Sequence, residues 1–324
     1  MNRIVRVAAL AAVILASQFV SPTAVAGEDK AVLITGASTG IGRHLAETLA
    51  GQGYHVYAGA RKDADLAELD AIENVTAVRL DVTKQDQVDA VVEQIGKKGG
   101  GLWGLVNNAG VGGGGFVADT PIEDQNFVYA VNVEGVYRTT KAFSPFIIES
   151  KGRIVTTGSI AGTLSWPGGS AYSGSKHAME AFTDALAGEM APQGVSVSIV
   201  EPGNYKSRIR RTSVARALGV DPETADMTEE QKKAYEATAA RELSYKEPDE
   251  VTEAFMHALF SDEPLLRYMV VPNVQEADRT IRQKMLELTQ LNTWNPYSFS
   301  RDELVQILDE TLNPPAAETD EDAQ

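Results

Sequence analysis

The chain has 324 residues, 43% of them hydrophobic, which is enough for one large domain or two small ones with a sizeable core. A formal net charge of −16 makes nucleic acid an unsuitable partner, because binding to phosphate needs basic surfaces. Cysteine is absent, which excludes a disulfide partner and thiolate catalysis, and the four histidines are too scattered to predict a metal site.

Residues 1–26 have the pattern of a secretory signal peptide. Arg3 and Arg6 precede an apolar run over residues 7–15, and the Ala-Val-Ala of residues 24–26 offers a small-residue cleavage site. The run is shorter than the ~20 residues that a membrane-spanning helix needs. We therefore expect an exported or membrane-associated protein. An uncleaved anchor, and a cytoplasmic protein whose start codon is placed too early, are the alternatives.

Short apolar runs alternate with amphipathic stretches from residue 30 onward. The runs suit strands buried on both faces of a parallel sheet, and they cover residues 31–34, 55–60, 75–80, 102–106, 153–156 and 195–200. Helical spacing of apolar residues separates them, at residues 44–49, 83–95 and 178–189. Another helix is expected to begin with Thr120 as N-cap and Glu123 completing a capping box. The pattern predicts a single α/β domain over residues 27–272, with a doubly wound parallel sheet of Rossmann type.

The chain beyond residue 203 has a different character. Residues 208–244 are polar and are expected to be mostly helical, with a capping box from Thr228 to Gln231, and residues 265–271 are expected to form a last strand. Residues 273–313 contain two amphipathic helical patterns, the first lined by Ile281, Met285 and Leu288 and the second opened by Ser300 and Glu303. We expect these stripes to dock on the core; closure over the substrate, a dimer contact or a membrane contact are the alternatives. The acidic residues 314–324 are expected to be disordered.

A glycine-rich loop follows the first predicted strand. Gly36, Gly40 and Gly42 permit a tight turn and a close approach of the backbone to a pyrophosphate at a helix N-terminus. Ser38, Thr39 and Ile41 fill the positions between them. The spacing differs from the usual three-glycine dinucleotide fingerprint, and no Gly-Lys-Ser/Thr follows to indicate a nucleotide hydrolase.

The end of the second strand indicates which dinucleotide is bound. An acidic residue there would select NAD, but the strand ends with Ala60, followed by Arg61 and Lys62. A guanidinium suits a 2′-phosphate, so NADP(H) is favoured and NAD(H) remains possible. Asp81, next to Val82 at the end of the third strand, is expected to accept from the adenine amino group or to cap the next helix.

Tyr172 is the candidate proton donor. Lys176 follows one helical turn later and Ser159 precedes it by thirteen residues. Tyr137 also has a lysine four residues later, but Asp124 stands thirteen residues before it. The serine spacing therefore singles out Tyr172.

Asn108, Ala109 and Gly110 follow the fourth strand, and Pro202 and Gly203 follow the sixth. With the glycine loop and the Ser-Tyr-Lys spacing, these motifs resemble the short-chain dehydrogenase/reductase family over about residues 30–207 and more weakly to 271. Residues 101–106, 201–203 and 266–268 resemble its retinol and hydroxysteroid dehydrogenase branch.

The resemblance implies roles for four side chains. Tyr172 would exchange a proton with the substrate, and Lys176 would lower the tyrosine pKa and hold the nicotinamide ribose. Ser159 would bind the substrate oxygen, and Asn132 would hold a water that connects Lys176 to solvent. The Asn108–Gly110 and Pro202-Gly203 segments would contact the cofactor. The family also implies a homodimer or homotetramer, and the small-residue stripe formed by Ala178, Ala181 and Ala185 suits close helix packing.

The sequence departs from the family pattern at several positions. Thr39 stands where NADP-preferring members often have a basic residue, Gly158 replaces a second serine, and residues 112–115 are all glycine. An export signal also conflicts with the use of a free nicotinamide cofactor.

The leading interpretation is an NAD(P)-dependent oxidoreductase that interconverts a lipophilic, retinoid- or steroid-like alcohol and its ketone or aldehyde. A catalytically idle dinucleotide-binding module and a methyltransferase on a similar sheet are the alternatives.

Overall fold

The computed structural model of the chain describes residues 30–220 and 227–313. Seven parallel strands form one sheet in the order β3-β2-β1-β4-β5-β6-β7. The doubly wound sheet is confirmed, and each strand lies within two residues of its predicted bounds. The strands are β1 (Val32–Ile34), β2 (Val56–Ala60), β3 (Val75–Arg79), β4 (Gly104–Asn107), β5 (Arg153–Thr157), β6 (Ser196–Pro202) and β7 (Arg267–Val270).

Helices connect the strands and extend the chain beyond them. The described helices are α1 (Gly40–Gly51), α2 (Asp63–Asp70), α3 (Gln85–Lys98), α4 (Ile122–Tyr129), α5 (Gly135–Ser150), α6 (Ser170–Met190), α7 (Ile209–Ala217), α8 (Glu229–Leu243), α9 (Asp249–Phe260), α10 (Val274–Thr293) and α11 (Arg301–Leu312). A π-helical turn, Ala130–Glu134, joins α4 to α5. The sequence analysis missed α2, because this helix buries a single residue, Leu69, and has almost no apolar periodicity.

The sheet has a hydrophobic core on each face. Leu33 of β1 packs into the cluster formed with α3, α5 and α6, whereas Val32 and Ile34 pack into the cluster formed with α1 and α9. Burial on both faces explains the continuous apolar runs of the strands. The predicted apolar stripe of α6 is divided, since Phe182 and Leu186 are buried while Ala181 and Ala185 are exposed.

The predicted capping box at Thr120 is wrong. The nitrogen and the hydroxyl of Thr120 both donate to the Phe116 carbonyl, closing a turn, and Pro121 has an extended ψ of 141°. The helix α4 therefore begins only at Ile122. The predicted capping boxes at Thr228 and Ser300 are confirmed.

The C-terminal helices contact the rest of the molecule differently from expectation. Ile281, Met285 and Leu288 of α10 are 54%, 45% and 43% exposed, so the predicted docking of this stripe on the core is wrong. Ile307, Leu308 and Leu312 of α11 are also exposed. The contact is made instead by the beginning of α10, where Thr280 is buried and Glu276 accepts two hydrogen bonds from Asn204.

The predicted signal peptide at residues 1–26 and the acidic tail at residues 314–324 lie outside the described residues. Among the helices that the structure describes, none combines the length and the apolar character needed to cross a membrane.

Candidate functional site

The order of the strands creates a crevice at one edge of the sheet. Strand β1 pairs with β2 on one side and with β4 on the other, so the connections that follow β1 and β4 leave the sheet in opposite directions. Ligands of doubly wound folds bind at this switch point, beside the carboxyl ends of the strands. The predicted motifs all follow strands that end here.

The glycine loop after β1 needs its glycines. Gly36 and Gly40 have φ angles of 66° and 61°, which side chains rarely adopt. A Cβ on Gly36 would lie 2.8 Å from the Cα of Ala109, and a Cβ on Gly42 would lie 2.6 Å from the Gly36 carbonyl oxygen. Gly42 therefore packs against the inner side of the loop, whereas Gly36 and Gly40 form the surface that faces the crevice.

The first turn of α1 is available to an anion. Its N-cap, Thr39, makes no side-chain capping bond, and the turn contains no acidic residue. The N–H groups of such a turn have no partner within the helix and carry the positive end of the helix dipole. A pyrophosphate is the group that such a turn binds in dinucleotide-binding folds.

Hydrogen bonds fix the loop after β4 to the glycine loop. The Asn108 side chain donates to the carbonyl oxygens of Thr35 and Gly36, at 3.1 and 3.0 Å. The Thr35 hydroxyl accepts from the backbone nitrogens of Asn108 and Ala109, at 3.0 and 2.9 Å. Thr35 was not among the predicted site residues, although a threonine at the end of a buried strand was a usable signal.

A cavity of about 460 Å³ extends from this loop along the crevice. We call it the cofactor cavity. Every predicted cofactor-binding residue except Gly42 lines it. The prediction missed another group, which belongs to the end of β5, the segment after β6 and the helix α7: Thr157, Gly158, Tyr205, Ser207, Arg208, Ile209, Thr212 and Arg216. The cavity, the glycine cradle and the helix N-terminus together fit a dinucleotide.

Asp81 lies in this cavity with part of its carboxylate already engaged. One carboxylate oxygen accepts from the nitrogen and the hydroxyl of Thr83, at 2.9 and 2.7 Å. Burial opposes ionisation, but these hydrogen bonds outweigh it and lower the pKa of Asp81. Asp81 does not cap α3, whose N-cap is Lys84. The ionised carboxylate remains an acceptor beside Arg61, which lines the same cavity.

Tyr172 and Ser159 face each other between β5 and α6. Ser159 is the N-cap of a short turn, and its hydroxyl accepts from the backbone nitrogen of Ala161 at 3.1 Å. Burial raises the pKa of the Tyr172 hydroxyl, while a hydrogen bond with Ser159 and the charge of Arg210 act to lower it. The two hydroxyls are thus placed to share one substrate oxygen.

Lys176 lies one helical turn beyond Tyr172 and is buried. Its ammonium donates to the Thr157 carbonyl at 2.7 Å and is 5.9 Å from the centre of the Tyr172 ring. Burial lowers the pKa of Lys176 to about 8, against the opposing effect of Glu180. In this structure the Lys176 ammonium is directed at the Thr157 carbonyl, and the groups that oppose the raised pKa of Tyr172 are Ser159 and Arg210. The lowering of the Tyr172 pKa by Lys176 therefore stays a prediction.

Asn132 lies in the π-helical turn and is 1% exposed. Its side chain bonds both backbone groups of Val111, at 2.8 and 3.0 Å, and donates to the Ser175 hydroxyl at 3.0 Å. Ser175 in turn donates to the Tyr172 carbonyl at 2.7 Å. Asn132 therefore joins the loop after β4 to the beginning of α6 and does not itself line the cavity. Single π-helical turns occur frequently at functional sites.

Glu201 is a buried carboxyl at the end of β6, directly before Pro202 and Gly203. Burial and the neighbouring Glu180 raise its pKa to about 7, against the opposing charges of Arg267 and Lys284. The sequence analysis used this residue only as part of a family motif.

The competing pair, Tyr137 and Lys141, lies elsewhere. Tyr137 is 55% exposed on α5, where its ring packs on Phe182 at 4.5 Å, and neither member of the pair lines a cavity at the site. The choice of Tyr172 on its serine spacing agrees with this geometry.

A second cavity, of about 340 Å³, adjoins the first, and we call it the substrate cavity. Both cavities are lined by Ser159, Tyr172, Pro202 and Gly203, so a ligand in one reaches the same hydroxyls as a ligand in the other. The outer wall consists of residues from α7, α8 and α10 together with Trp166 and Leu164.

The unusual glycine run forms one wall of the substrate cavity. A Cβ on Gly113 would lie 2.6 Å from both the Val128 side chain and the Arg216 guanidinium, and a Cβ on Gly114 would collide with the Gly168 carbonyl. Two glycine-rich loops therefore approach each other through their backbones, which explains this departure from the family pattern.

The comparisons with known proteins agree with this geometry. The family model described as short chain dehydrogenase matches residues 30–217. The mitochondrial D-beta-hydroxybutyrate dehydrogenase of Rattus norvegicus is 36% identical over 264 residues, covering 75% of this chain and 77% of the relative. Retinol dehydrogenase 16 of Rattus norvegicus is 34% identical, with coverage of 74% and 80%. A short chain dehydrogenase/reductase from Burkholderia phymatum, solved in complex with NAD, is 30% identical with a TM-score of 0.66, covering 83% of this chain and 98% of that one. The chain therefore belongs to the short-chain dehydrogenase family and is an NAD(P)-dependent dehydrogenase.

Proposed function

We propose that this protein interconverts an alcohol and the corresponding ketone or aldehyde, with Tyr172 as the acid/base. The observation that carries the proposal is the meeting of the two cavities at Tyr172 and Ser159. A nicotinamide dinucleotide, when bound, supplies or accepts the hydride. The protein must then hold the substrate oxygen and move one proton.

Tyr172 moves that proton between its phenol oxygen and the substrate oxygen. Ser159 donates a hydrogen bond to the same oxygen and stabilises the negative charge that develops on it during reduction. Both hydroxyls line both cavities, which supports these roles. Tyr172 and Ser159 are thus the proposed catalytic residues.

Lys176 acts on the cofactor side. Its buried ammonium lines the cofactor cavity, where it is suited to bind the nicotinamide ribose and to favour the phenolate when Tyr172 has given up its proton. Asn132 is a positioning residue, because it acts through the Val111 backbone and the Ser175 hydroxyl. Its proposed link through water between Lys176 and solvent rests on the family resemblance.

We propose NADP(H) as the preferred cofactor, with NAD(H) also accepted. The exposed guanidinium of Arg61 lines the cofactor cavity at the end of β2, where Ala60 stands in place of an acidic residue. A guanidinium binds a phosphate through two parallel hydrogen bonds. Asp65 and Thr39 line the same cavity without adding positive charge, which leaves room for NAD(H).

The proposed substrate has an apolar body. Ile160, Leu164, Trp166 and Val214 line the substrate cavity and suit such a body. Among the relatives, retinol dehydrogenase and 17-beta-hydroxysteroid dehydrogenase type 6 of Rattus norvegicus are named for lipophilic alcohols. The sequence favours neither direction of the reaction.

We further propose that the protein is a homodimer or homotetramer. The exposed Ala181 and Ala185 on α6 lie near the exposed Tyr137 ring, which contacts Phe182 of the same helix. Small residues allow the backbones of two helices to approach closely. Light scattering coupled to size-exclusion chromatography measures the state directly, and a monomer at micromolar concentration would refute the proposal.

Export or membrane association remains the proposal for residues 1–26. It is supported by Arg3, Arg6, the apolar run and the Ala-Val-Ala site. N-terminal sequencing of the protein from its native cells tests it. A mature chain that begins at Gly27 would support cleavage, whereas an intact Met1 in the cytosol would refute the proposal.

The reaction itself is tested by a cofactor-coupled screen. Purified protein is mixed with NADPH or NADH and a panel of aliphatic ketones, keto acids, retinoids and steroids, and the loss of reduced cofactor is recorded. Turnover of any of these carbonyl compounds is expected. Binding of NADPH without turnover across the panel would instead favour the idle dinucleotide-binding module.

A further inference from the structure

Two arginines line the substrate cavity together with Tyr172 and Ser159. Arg210 belongs to the first turn of α7, and Arg279 belongs to the second turn of α10. Neither was among the predicted site residues. Neither is one of the groups that exchange the proton or bind the substrate oxygen in the proposed reaction, and a neutral alcohol requires no positive charge in its binding cavity.

Most hydrogen-bond donors of the two guanidinium groups are not engaged by the protein. Within the described residues, Arg279 makes no hydrogen bond or ion pair, and the Arg210 guanidinium makes one hydrogen bond, from Nη2 to the Asn204 side-chain oxygen at 2.6 Å. A guanidinium has five N–H donors in a planar fork. Both side chains therefore retain donors for a ligand.

The two arginines are held near each other by one connection. Glu276 of α10 accepts from the backbone and side-chain nitrogens of Asn204, at 2.9 and 2.8 Å, and Asn204 accepts from Arg210. Thr280, next to Arg279, is buried and donates to the Glu276 carbonyl at 2.8 Å. This connection fixes α10 to the segment after β6, whose first residue, Gly203, lines both cavities.

The nearby carboxylates do not neutralise the arginines completely. Glu242 is buried in the cavity wall and accepts from the Arg211 side chain at 2.7 Å and from the Arg210 backbone nitrogen at 2.7 Å. Glu276 is engaged by Asn204. The charged residues that line the cavity are Arg210, Arg279 and Glu242, so the lining itself carries one net positive charge, which a single carboxylate would balance.

The charge of Arg210 also reaches the reaction centre, because it acts to lower the pKa of the Tyr172 hydroxyl. The arginines and Tyr172 line one cavity of about 340 Å³. A small molecule can thus place a carbonyl at Tyr172 and an anionic group at the arginines.

We propose that Arg210 and Arg279 form a carboxylate subsite, so that the substrate is an oxo or hydroxy acid with an apolar body. A guanidinium matches a carboxylate through paired, charge-assisted hydrogen bonds. The apolar wall that includes Leu164 and Trp166 contacts the remainder of the molecule. This proposal rests on the proposed function, because it needs the substrate oxygen at Tyr172.

Matched pairs of substrates test the subsite. Acetoacetate, levulinate and benzoylacetate are each compared with their methyl esters, which keep the ketone and lose the charge. The full chain is assayed with NADPH and NADH, and kcat/KM is measured for each member. We expect at least one acid to exceed its ester by ~10- to 100-fold, the range of a charge-assisted hydrogen bond.

Variants then identify which residues cause the preference for acids over their methyl esters. Arg279→Gln and Arg210→Gln are expected to bring the acid-to-ester ratio toward one, and Arg210→Lys is expected to retain part of it because the charge remains. Arg282→Gln is the matched control, since Arg282 is exposed on the same helix and paired with Asp278. A control that loses the ratio as strongly as Arg279→Gln would overturn the assignment.

A binding measurement separates this proposal from the reaction. Calorimetry with butanoate and butanamide, in the presence of the oxidised cofactor, needs no turnover. Butanoate is expected to bind more tightly than the amide, and Arg279→Gln is expected to abolish the difference. Equal binding of butanoate and butanamide would refute the carboxylate subsite. In the kinetic assay, reduction of the methyl esters as fast as the acids would refute it as well, and so would a higher kcat/KM for dihydroxyacetone phosphate, which carries a phosphate in place of the carboxylate. Turnover of the esters would leave the proposed function intact, whereas butanoate selectivity without turnover of any carbonyl compound would refute the function alone.

Discussion

The cofactor cavity and the substrate cavity meet at Tyr172, but they differ in how far backbone or side chains form their walls. The cofactor side consists largely of backbone: a glycine loop, the ends of β1, β4 and β5, and the first turn of α1. The outer wall of the substrate side consists of side chains, and most of these belong to α7, α8 and α10, which follow the last family motif.

This difference decides which cavity can be recognised in a sequence. A backbone cradle restricts the residue type, because a Cβ at Gly36 would collide with Ala109 and would need an unfavourable φ. A wall of side chains imposes no such restriction, so its residues can change with the substrate while the fold is kept. The following predictions test this division.

The largest effect on turnover is expected for Tyr172, where the two cavities meet. Tyr172→Phe keeps the ring but removes the hydroxyl, so kcat is expected to fall by ~10²- to 10⁴-fold, the usual contribution of a general acid. Cofactor affinity, measured by fluorescence titration, is expected to change far less. Tyr137→Phe is the matched control, because its ring is exposed on α5 and also has a lysine four residues later. Retention of more than about a tenth of the turnover by Tyr172→Phe would remove this tyrosine from the mechanism.

Next in size is the effect expected for Glu201, the buried carboxyl directly before Pro202 at the end of β6. The pKa of Glu201 is raised from 4.5 to about 7 in the folded protein, so the folded state binds this proton more tightly than the unfolded state. The stability from this group is complete below about pH 4.5 and is lost as the pH rises to about 7. Glu201→Gln is expected to remove that dependence and to raise the free energy of unfolding near pH 8 by up to about 3 kcal/mol.

Urea denaturation at about pH 5 and pH 8 measures this difference. Glu189→Gln, an exposed substitution on α6, provides the comparison. An equal gain at both pH values would show that Glu201 does not titrate in this range and would contradict the prediction.

A smaller effect is expected on the backbone-built side. Gly36→Ala introduces a Cβ at a φ of 66° and 2.8 Å from the Ala109 backbone, so the cofactor Kd is expected to rise by at least ~10-fold. Gly51→Ala is a suitable control, because nothing lies within 4 Å of its Cβ. Normal NADPH binding by Gly36→Ala would show that the cradle tolerates side chains, which would break the proposed contrast between the two cavities.

The smallest effect is expected for cofactor choice. Arg61→Ser removes the guanidinium at the end of β2, and the NADPH-to-NADH ratio of kcat/KM is expected to fall by ~10-fold. Arg301→Gln, on the exposed surface of α11, serves as the control. An unchanged ratio in Arg61→Ser would assign the preference to another residue of the cofactor cavity.

The parts of the molecule that could be predicted from the sequence are those whose structure is determined by neighbouring residues in the chain. The inner strands, such as β1, β2 and β4, were predictable because both of their faces are buried, and the glycine loop because its φ angles exclude side chains. The Ser159, Tyr172 and Lys176 spacing predicted proximity, but it did not predict that Lys176 donates to the Thr157 carbonyl. The choice of hydrogen-bond partner depends on tertiary packing.

The missed parts depend on contacts between distant segments. Nothing in the periodicity of α10 indicates that Arg279 reaches a cavity built around Tyr172, since its position follows from the bonds between Glu276 and Asn204, 72 residues apart. The same periodicity correctly indicated an amphipathic helix, but it did not identify what covers the apolar side. Ile281 and Met285 are therefore exposed where docking was expected.

The bond between Glu276 and Asn204 has a consequence for how enzymes of this kind change specificity. The proposed catalytic residues all precede Gly203, whereas Arg279 of the proposed carboxylate subsite is carried by a helix that follows the last strand of the sheet. An exchange or a shift of that helix would alter the substrate without disturbing the hydroxyls that transfer the proton. A fusion or truncation that displaces α10 would likewise leave an enzyme able to bind its cofactor but less able to select among keto acids.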